Sequence, residues 1–170
     1  MERQNDIRTE RQRRAAEIIT QLVACAADVL ANYPVEIAYL HGSVARGCPL
    51  PASDVDIALV LSQVPESYQR LRLELEIQAA LEDACRLSNL DVRAINQAPL
   101  RVQGSIVQAG VLLYSRDKKR RVAYEVLTRK RYFDFQPRAR RLQQAFFDRI
   151  QREGLSGGQS RYRRVHSKPA

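Results

Sequence analysis

A chain of 170 residues is long enough to bury one substantial core and short for two, so one domain with tails is expected. Its apolar share of 45% is ordinary for a soluble fold, no apolar run approaches the roughly 20 residues that span a bilayer, and the stretch Met1 to Asp6 lacks the apolar core of a secretory signal, so a cytoplasmic home is expected. The net charge of +9 divides unevenly, −3 over residues 1–114 and +12 over residues 115–170, which places the basic character at the C-terminal end. From about Arg8 to Tyr33, Ile18, Ile19, Leu22, Val23, Ala26, Val29 and Leu30 recur at helical spacing until Pro34 stops the pattern. Val35 to Leu40 alternates as a short strand and runs into His41-Gly42-Ser43, a glycine turn from which Ser43 is placed to cap a short helix, Val44-Ala45-Arg46. Cys48-Pro49-Leu50-Pro51-Ala52 is a loop stiffened by two prolines. It returns the chain to a second strand, Val55 to Leu61.

Pro65 and Glu66 open a helix to about Leu87. Leu90 to Ile95 alternates as a strand, with Leu90, Val92 and Ala94 on one face and Asp91, Arg93 and Ile95 on the other. Pro99 begins a helix that Gly110 ends, and Val111 to Tyr114 reads as a short buried strand. Residues 116–153 are helical in pattern, with Pro137 as a kink or break. Residues 154–170 are polar, basic and glycine-containing, the composition of a disordered tail. The domain reading is therefore a folded unit over 1–153, with its core over 33–115 and C-terminal helices over 116–153, followed by the tail.

The chemistry concentrates in the first two strands. Asp54 and Asp56 lie two residues apart at the mouth of a strand, so they point the same way while Val55 and Ile57 point into the protein. Crowded carboxylates are unfavourable unless a cation relieves them, and hard oxygen ligands suit Mg²⁺. Gly42 allows a phosphate to approach the backbone, and Ser43 offers a hydroxyl and a helix N–H. Arg46 either adds positive charge to this pocket or pairs with one of the acids. Asp91 opens a later strand; if that strand is a sheet neighbour, the three acids converge on one rim where two Mg²⁺ ions serve an in-line displacement at phosphorus. His41 and His166 are the only histidines, which argues against a histidine-rich metal site. Cys25, Cys48 and Cys85 are widely spaced with no Cys-x-x-Cys, and read as reduced thiols with neither disulfide nor zinc.

Gly42-Ser43-Val44-Ala45-Arg46-Gly47, then Ser53-Asp54-Val55-Asp56-Ile57, then the lone acid Asp91 resemble the DNA polymerase β nucleotidyltransferase superfamily. The Gly-Ser-x-Ala-Arg-Gly form and the small size are most similar to its minimal nucleotidyltransferases (MNT), the antitoxins paired with HEPN ribonuclease toxins. The motifs cover about residues 39–95. The resemblance implies an α/β (α+β) fold, a small mixed sheet flanked by helices with a long C-terminal helical segment. It further implies ATP as substrate with two Mg²⁺ ions, metal-binding and catalytic roles for Asp54, Asp56 and Asp91, and phosphate contacts from Gly42, Ser43 and Arg46. The expected activity is transfer of AMP to a tyrosine of a HEPN toxin, with nucleic acid met only through that partner. One departure stands out: the proline loop has no basic residue, so the triphosphate charge must be met by Mg²⁺, Arg46 and residues from elsewhere.

Several features carry blander readings. His41 is a packed turn histidine before it is a phosphate contact. Arg161 and His166 have the Arg-x4-His spacing of HEPN ribonucleases but sit in the tail, a coincidence. Tyr132, Phe133 and Phe135 are read first as a buried helix face and second as a docking patch. Other functions compatible with the residues are neutralisation of a partner by binding alone, with a vestigial nucleotide site, and nucleotide transfer to a small molecule or an RNA end.

Overall fold

A computed structural model describes residues 2–154. The elements run α1 (Glu2–Leu30), β1 (Val35–His41), α2 (Gly42–Ala45), β2 (Val55–Leu61), α3 (Ser67–Cys85), β3 (Leu90–Ala94), α4 (Leu100–Ala109), β4 (Val111–Ser115) and α5 (Lys118–Glu153). The four strands form one mixed sheet in the order β3-β2-β1-β4. β1 pairs antiparallel with β2 and with β4, whereas β2 and β3 run parallel, joined through α3. The architecture is α+β, a mixed sheet with helices and a long C-terminal helix, as expected. The chain divides into two compact units, the first ending at Arg131 and the second starting at Tyr132. The expected tail, with Arg161 and His166, lies outside the described residues.

Burial of the sheet on both faces explains why β1 and β2 read as nearly continuous apolar runs. Ala38, Leu40, Ile57, Leu59 and Val92 join Ile18, Leu22, Ala26 and Leu30 of α1 and Ile77 and Leu81 of α3 in the larger core. The alternate residues Ile37, Tyr39, Ala58, Val60 and Ile95 pack with Ile106 of α4, with Tyr124 of α5 against them. Tyr39 is buried and its hydroxyl donates to Glu125 Oε1 at 2.8 Å. Burial, and then Glu125, push that phenol above its ordinary range.

Edge strand β3 has two of its N–H groups taken by α3: Leu90 donates to Glu82 Oε1 at 3.0 Å and Ala94 to Glu74 Oε1 at 2.9 Å. Edge N–H groups satisfied in this way no longer template pairing with another chain.

Five expectations change. The cysteines are not all free: Cys25 and Cys85 form a disulfide, 60 residues apart in sequence with Cα atoms 5.6 Å apart, because α1 and α3 pack side by side on one sheet face. Only Cys48 is free. Ser43 is not the cap of the short helix, which begins one residue earlier at Gly42, with His41 at the cap position making no side-chain bond. β4 is an edge strand in which only Leu113 is buried, since β1 covers one side alone. Pro137 sits inside α5, so of the kink and the break read there the break is ruled out. Phe133 and Phe135 are exposed rather than buried.

Gly110 closes α4 with extended backbone rather than a left-handed turn. Glycine is required there by closeness: a Cβ would come within 2.6 Å of the Ile106 carbonyl oxygen and 3.2 Å of that of Leu40.

Candidate active site

The site residues gather at the sheet end where β1 finishes and β2 and β3 begin. His41 closes β1, and its cross-strand partner on β2 is Asp56. Asp56 in turn lies opposite Asp91 on β3. Three polar residues thus stand in a row across three strands, on the sheet face shared with Ile37, Tyr39, Ala58 and Ile95 by the two-residue alternation of side chains.

Gly42 turns the chain off β1 at φ +74°, and a Cβ there would overlap the Asp56 carboxylate. The phosphate-type turn and the acid strand are therefore in direct contact. Ser43 follows in the first turn of α2, its carbonyl accepting from Cys48 N–H at 3.0 Å. Ser53 closes the proline loop twice, donating its N–H to the Leu50 carbonyl at 3.0 Å and accepting from Leu50 N–H at 2.8 Å. That loop delivers Asp54, exposed and just ahead of β2, and then half-buried Asp56.

The electrostatics reflect the crowding. Burial raises the Asp56 carboxyl above its ordinary value, the charges of Asp91 and Asp54 push the same way, and His41 and Arg46 oppose them. Burial lowers His41, with Arg46 acting in the same sense against Asp56 and Asp91, so its imidazole is held toward the neutral form. Asp91 has a cation of its own: Arg93, two residues along the same strand face, donates from Nε to Asp91 Oδ1 at 2.8 Å. Arg93 also lies 3.6 Å from Oε2 of buried Glu74. Among the described residues no three His, Cys, Asp or Glu side chains are gathered closely enough to enclose a metal ion as they stand. The donor set is nevertheless one of hard carboxylate oxygens whose mutual repulsion a divalent cation relieves, which suits Mg²⁺.

The structure brings His41, Gly42, Asp56 and Asp91 together, with Arg46 near enough for its charge to act on His41 and Asp56. Arg93 and Glu74 carry no motif, yet they hold Asp91 and its strand. The signal for Arg93 was its two-residue spacing from Asp91 on a strand.

No curated protein matches this sequence. Several crystal structures share its fold. One, of a toxin–antitoxin with AMP-PNP, contains a chain 22% identical, with 81% of this chain and 98% of that chain covered at a TM-score of 0.56. A second, of a toxin-antitoxin MntA-HpeT mutant with two aspartates changed to glutamate, matches at 21% identity, 73% and 94% coverage and a TM-score of 0.56. A third, of a tri-AMPylated Shewanella oneidensis HEPN toxin in complex with MNT antitoxin, matches at 21% identity, 82% and 98% coverage and a TM-score of 0.50. The family profile described as Polymerase beta, Nucleotidyltransferase matches residues 26–119, a span that holds Gly42, Ser43, Arg46, Asp54, Asp56 and Asp91 together. The chain belongs to the polymerase β nucleotidyltransferase family.

Proposed function

We propose that this protein is a Mg²⁺-dependent adenylyltransferase that moves AMP from ATP onto a tyrosine of a partner protein, a HEPN ribonuclease toxin, and thereby neutralises it. The observation that carries the reading is the pairing of Asp56 with Asp91 across β2 and β3, with the Gly42 turn against Asp56. Asp54, Asp56 and Asp91 would hold the metal, which when bound neutralises phosphate charge and lowers the pKa of the attacking hydroxyl. Gly42 admits the phosphate to the backbone, the Ser43 hydroxyl donates to it, and Arg46 adds a fixed positive charge. The acceptor oxygen bonds to the α-phosphorus as the bond to the bridging oxygen of the β-phosphate breaks, and pyrophosphate leaves with the electron pair. Asp91 takes the hydroxyl proton. The similar folds crystallised with AMP-PNP and beside an AMPylated HEPN toxin support ATP as donor and a protein as acceptor. A cytoplasmic location goes with this reading.

The test is intact-mass measurement of a HEPN-type partner after incubation with this protein, ATP and Mg²⁺. A gain of one or more adenylyl groups that disappears with Asp54→Asn is expected; no gain, or an undiminished gain in that variant, sinks the mechanism.

A second reading, neutralisation by contact alone, is favoured by one feature of the first unit. Val122, Val126 and Leu127 form an exposed apolar stripe on α5 beside Lys118, Lys119 and Lys130. Under that reading Asp56→Ala neutralises the partner normally; under the first it does not.

A further inference from the structure

In the second unit α5 runs 22 residues, from Tyr132 to Glu153, and among the described residues of this stretch none is buried. A helix of that length has little stability of its own in water; helices hold in proteins chiefly by packing an apolar face. Such a face is present. Tyr132, Phe135, Ala139, Leu142 and Phe146 follow one another at alternating steps of three and four residues, with Ile150 four further on. At about 100° per residue all six fall within an arc of about 80°, and Phe135, Leu142 and Phe146 are exposed to 37%, 62% and 59%.

A stripe this narrow, repeating about every 3.5 residues, has the width and period of a coiled-coil seam, and its complement is another helix rather than a lipid surface. Charges stand clear of it, since Asp134, Arg141, Asp148 and Arg152 lie on the opposite side of the helix. In heptad terms Tyr132, Ala139 and Phe146 take position a and Phe135, Leu142 and Arg149 position d. The flanking e and g positions then hold Gln136, Arg138, Gln143, Ala145 and Ile150, of which Arg138 alone is charged. Coiled coils select a different partner through charged pairs at e and g. Flanks as neutral as these admit a second copy of the same helix. Pro137 falls at f, the outermost position, where it is exposed to solvent and faces no partner.

We infer that this face is a self-association surface, on which Tyr132 to Ile150 of one chain pairs antiparallel with the same stretch of a second copy. Antiparallel packing of a against d sets Ala139 of one copy against Leu142 of the other, so that a small side chain meets a large one in the central layer. It sets Phe135 against Phe146, an aromatic pair, and Tyr132 against Arg149, a guanidinium over a phenol ring. A parallel pair would oppose Arg149 with Arg149 and Ala139 with Ala139, putting like charges at one end and a gap in the middle. The surface lies outside the acid site, and its pairing stands whether or not the transferase reading holds.

The test is sedimentation velocity of the full chain over a range of concentrations. The mass should climb from 19.4 kDa to twice that value as concentration rises. Leu142→Glu combined with Phe146→Glu should weaken the dimer by about a hundredfold or more. Both side chains are exposed in the single chain, so the first unit should melt as before. Phe133→Glu, also exposed but outside the stripe, should leave the dimer intact. Orientation is read from nitroxide labels at Gln151→Cys in a Cys48→Ser background. Antiparallel copies separate the two labels by about 32 Å along the axis, at 1.5 Å per residue, whereas parallel copies keep them within the width of two helices, about 20–24 Å. A monomer at every concentration, whether or not it binds anionic vesicles, overturns the inference. So does a dimer indifferent to Leu142→Glu with Phe146→Glu, a dimer equally weakened by Phe133→Glu, or a label distance of the parallel kind.

Discussion

Gly42 faces the Asp56 carboxylate so closely that a methyl group at position 42 would occupy the same space as Asp56 Oδ2. The glycine turn and the acid proposed to hold metal are thus one packed unit, and glycine is required both for space and for φ +74°. Gly42→Ala should lower stability by about 1–2 kcal/mol for the left-handed backbone alone. It should also abolish AMP transfer by displacing Asp56. Thermal unfolding beside the partner-mass assay checks both; full activity with a normal melting curve contradicts the packing described.

Asp56 carries a linkage consequence. Its carboxyl titrates above the ordinary 3.8, first through burial and then through its acidic neighbours. The native state therefore holds that proton more tightly than the unfolded chain, so Asp56 favours folding below pH 3.8 and loses that contribution as pH climbs through the raised native value. At neutral pH and without metal the charged carboxylate is a burden. Asp56→Asn in EDTA should accordingly melt no lower than the parent at pH 7, and Mg²⁺ should raise the melting temperature of the parent alone.

His41 works in the opposite sense. Its folded pKa lies below the ordinary 6.5, so the native state resists protonation and loses stability as pH falls from 6.5 through the lowered value. His41→Gln should flatten the pH dependence of the melting temperature in that window.

Glu74 secures the strand that presents Asp91. Its Oε1 accepts the Ala94 N–H at 2.9 Å, and the side chain is buried. Glu74→Ala leaves that N–H unpaired and should cost about 1–3 kcal/mol. Urea unfolding measures the loss. The exposed ion pair of Arg93 with Asp91 is worth less, about 0.2–1 kcal/mol, so Arg93→Gln should change stability little while releasing Asp91.

The Cys25–Cys85 disulfide joins α1 to α3 across 60 residues. Native protein kept from reductants should yield one reactive thiol, from Cys48. Cys25→Ser with Cys85→Ser, or reduction, should cost about 2–4 kcal/mol. Thiol titration that counts three would contradict the pairing.

Much of this was legible in the sequence, for physical reasons. Gly42, Asp54 and Asp56 declare themselves because turn chemistry and two-residue alternation are local. So do the strand bounds at Val35, Val55 and Leu90, where apolar runs meet prolines or acids. The Cys25–Cys85 bond was invisible because helix-on-helix packing has no fixed sequence spacing. Tyr132, Phe133 and Phe135 read as a buried helix face, yet Phe133 and Phe135 are exposed, since periodicity reports a stripe and says nothing of what covers it.

The parallel pairing of β2 with β3 has a kinetic consequence. Parallel neighbours need a crossover, and here α3 must fold and dock before Asp91 can reach Asp56. The two acids come together only at the close of a long loop, the kind of non-local pairing whose entropy cost slows folding. A chain emerging during synthesis, or one opened locally at β3, has the Gly42 turn and Asp56 but no completed acid rim. Under the proposed function, activity is confined to the fully folded domain, and any agent that loosens the β3 edge acts as an inhibitor without touching a nucleotide.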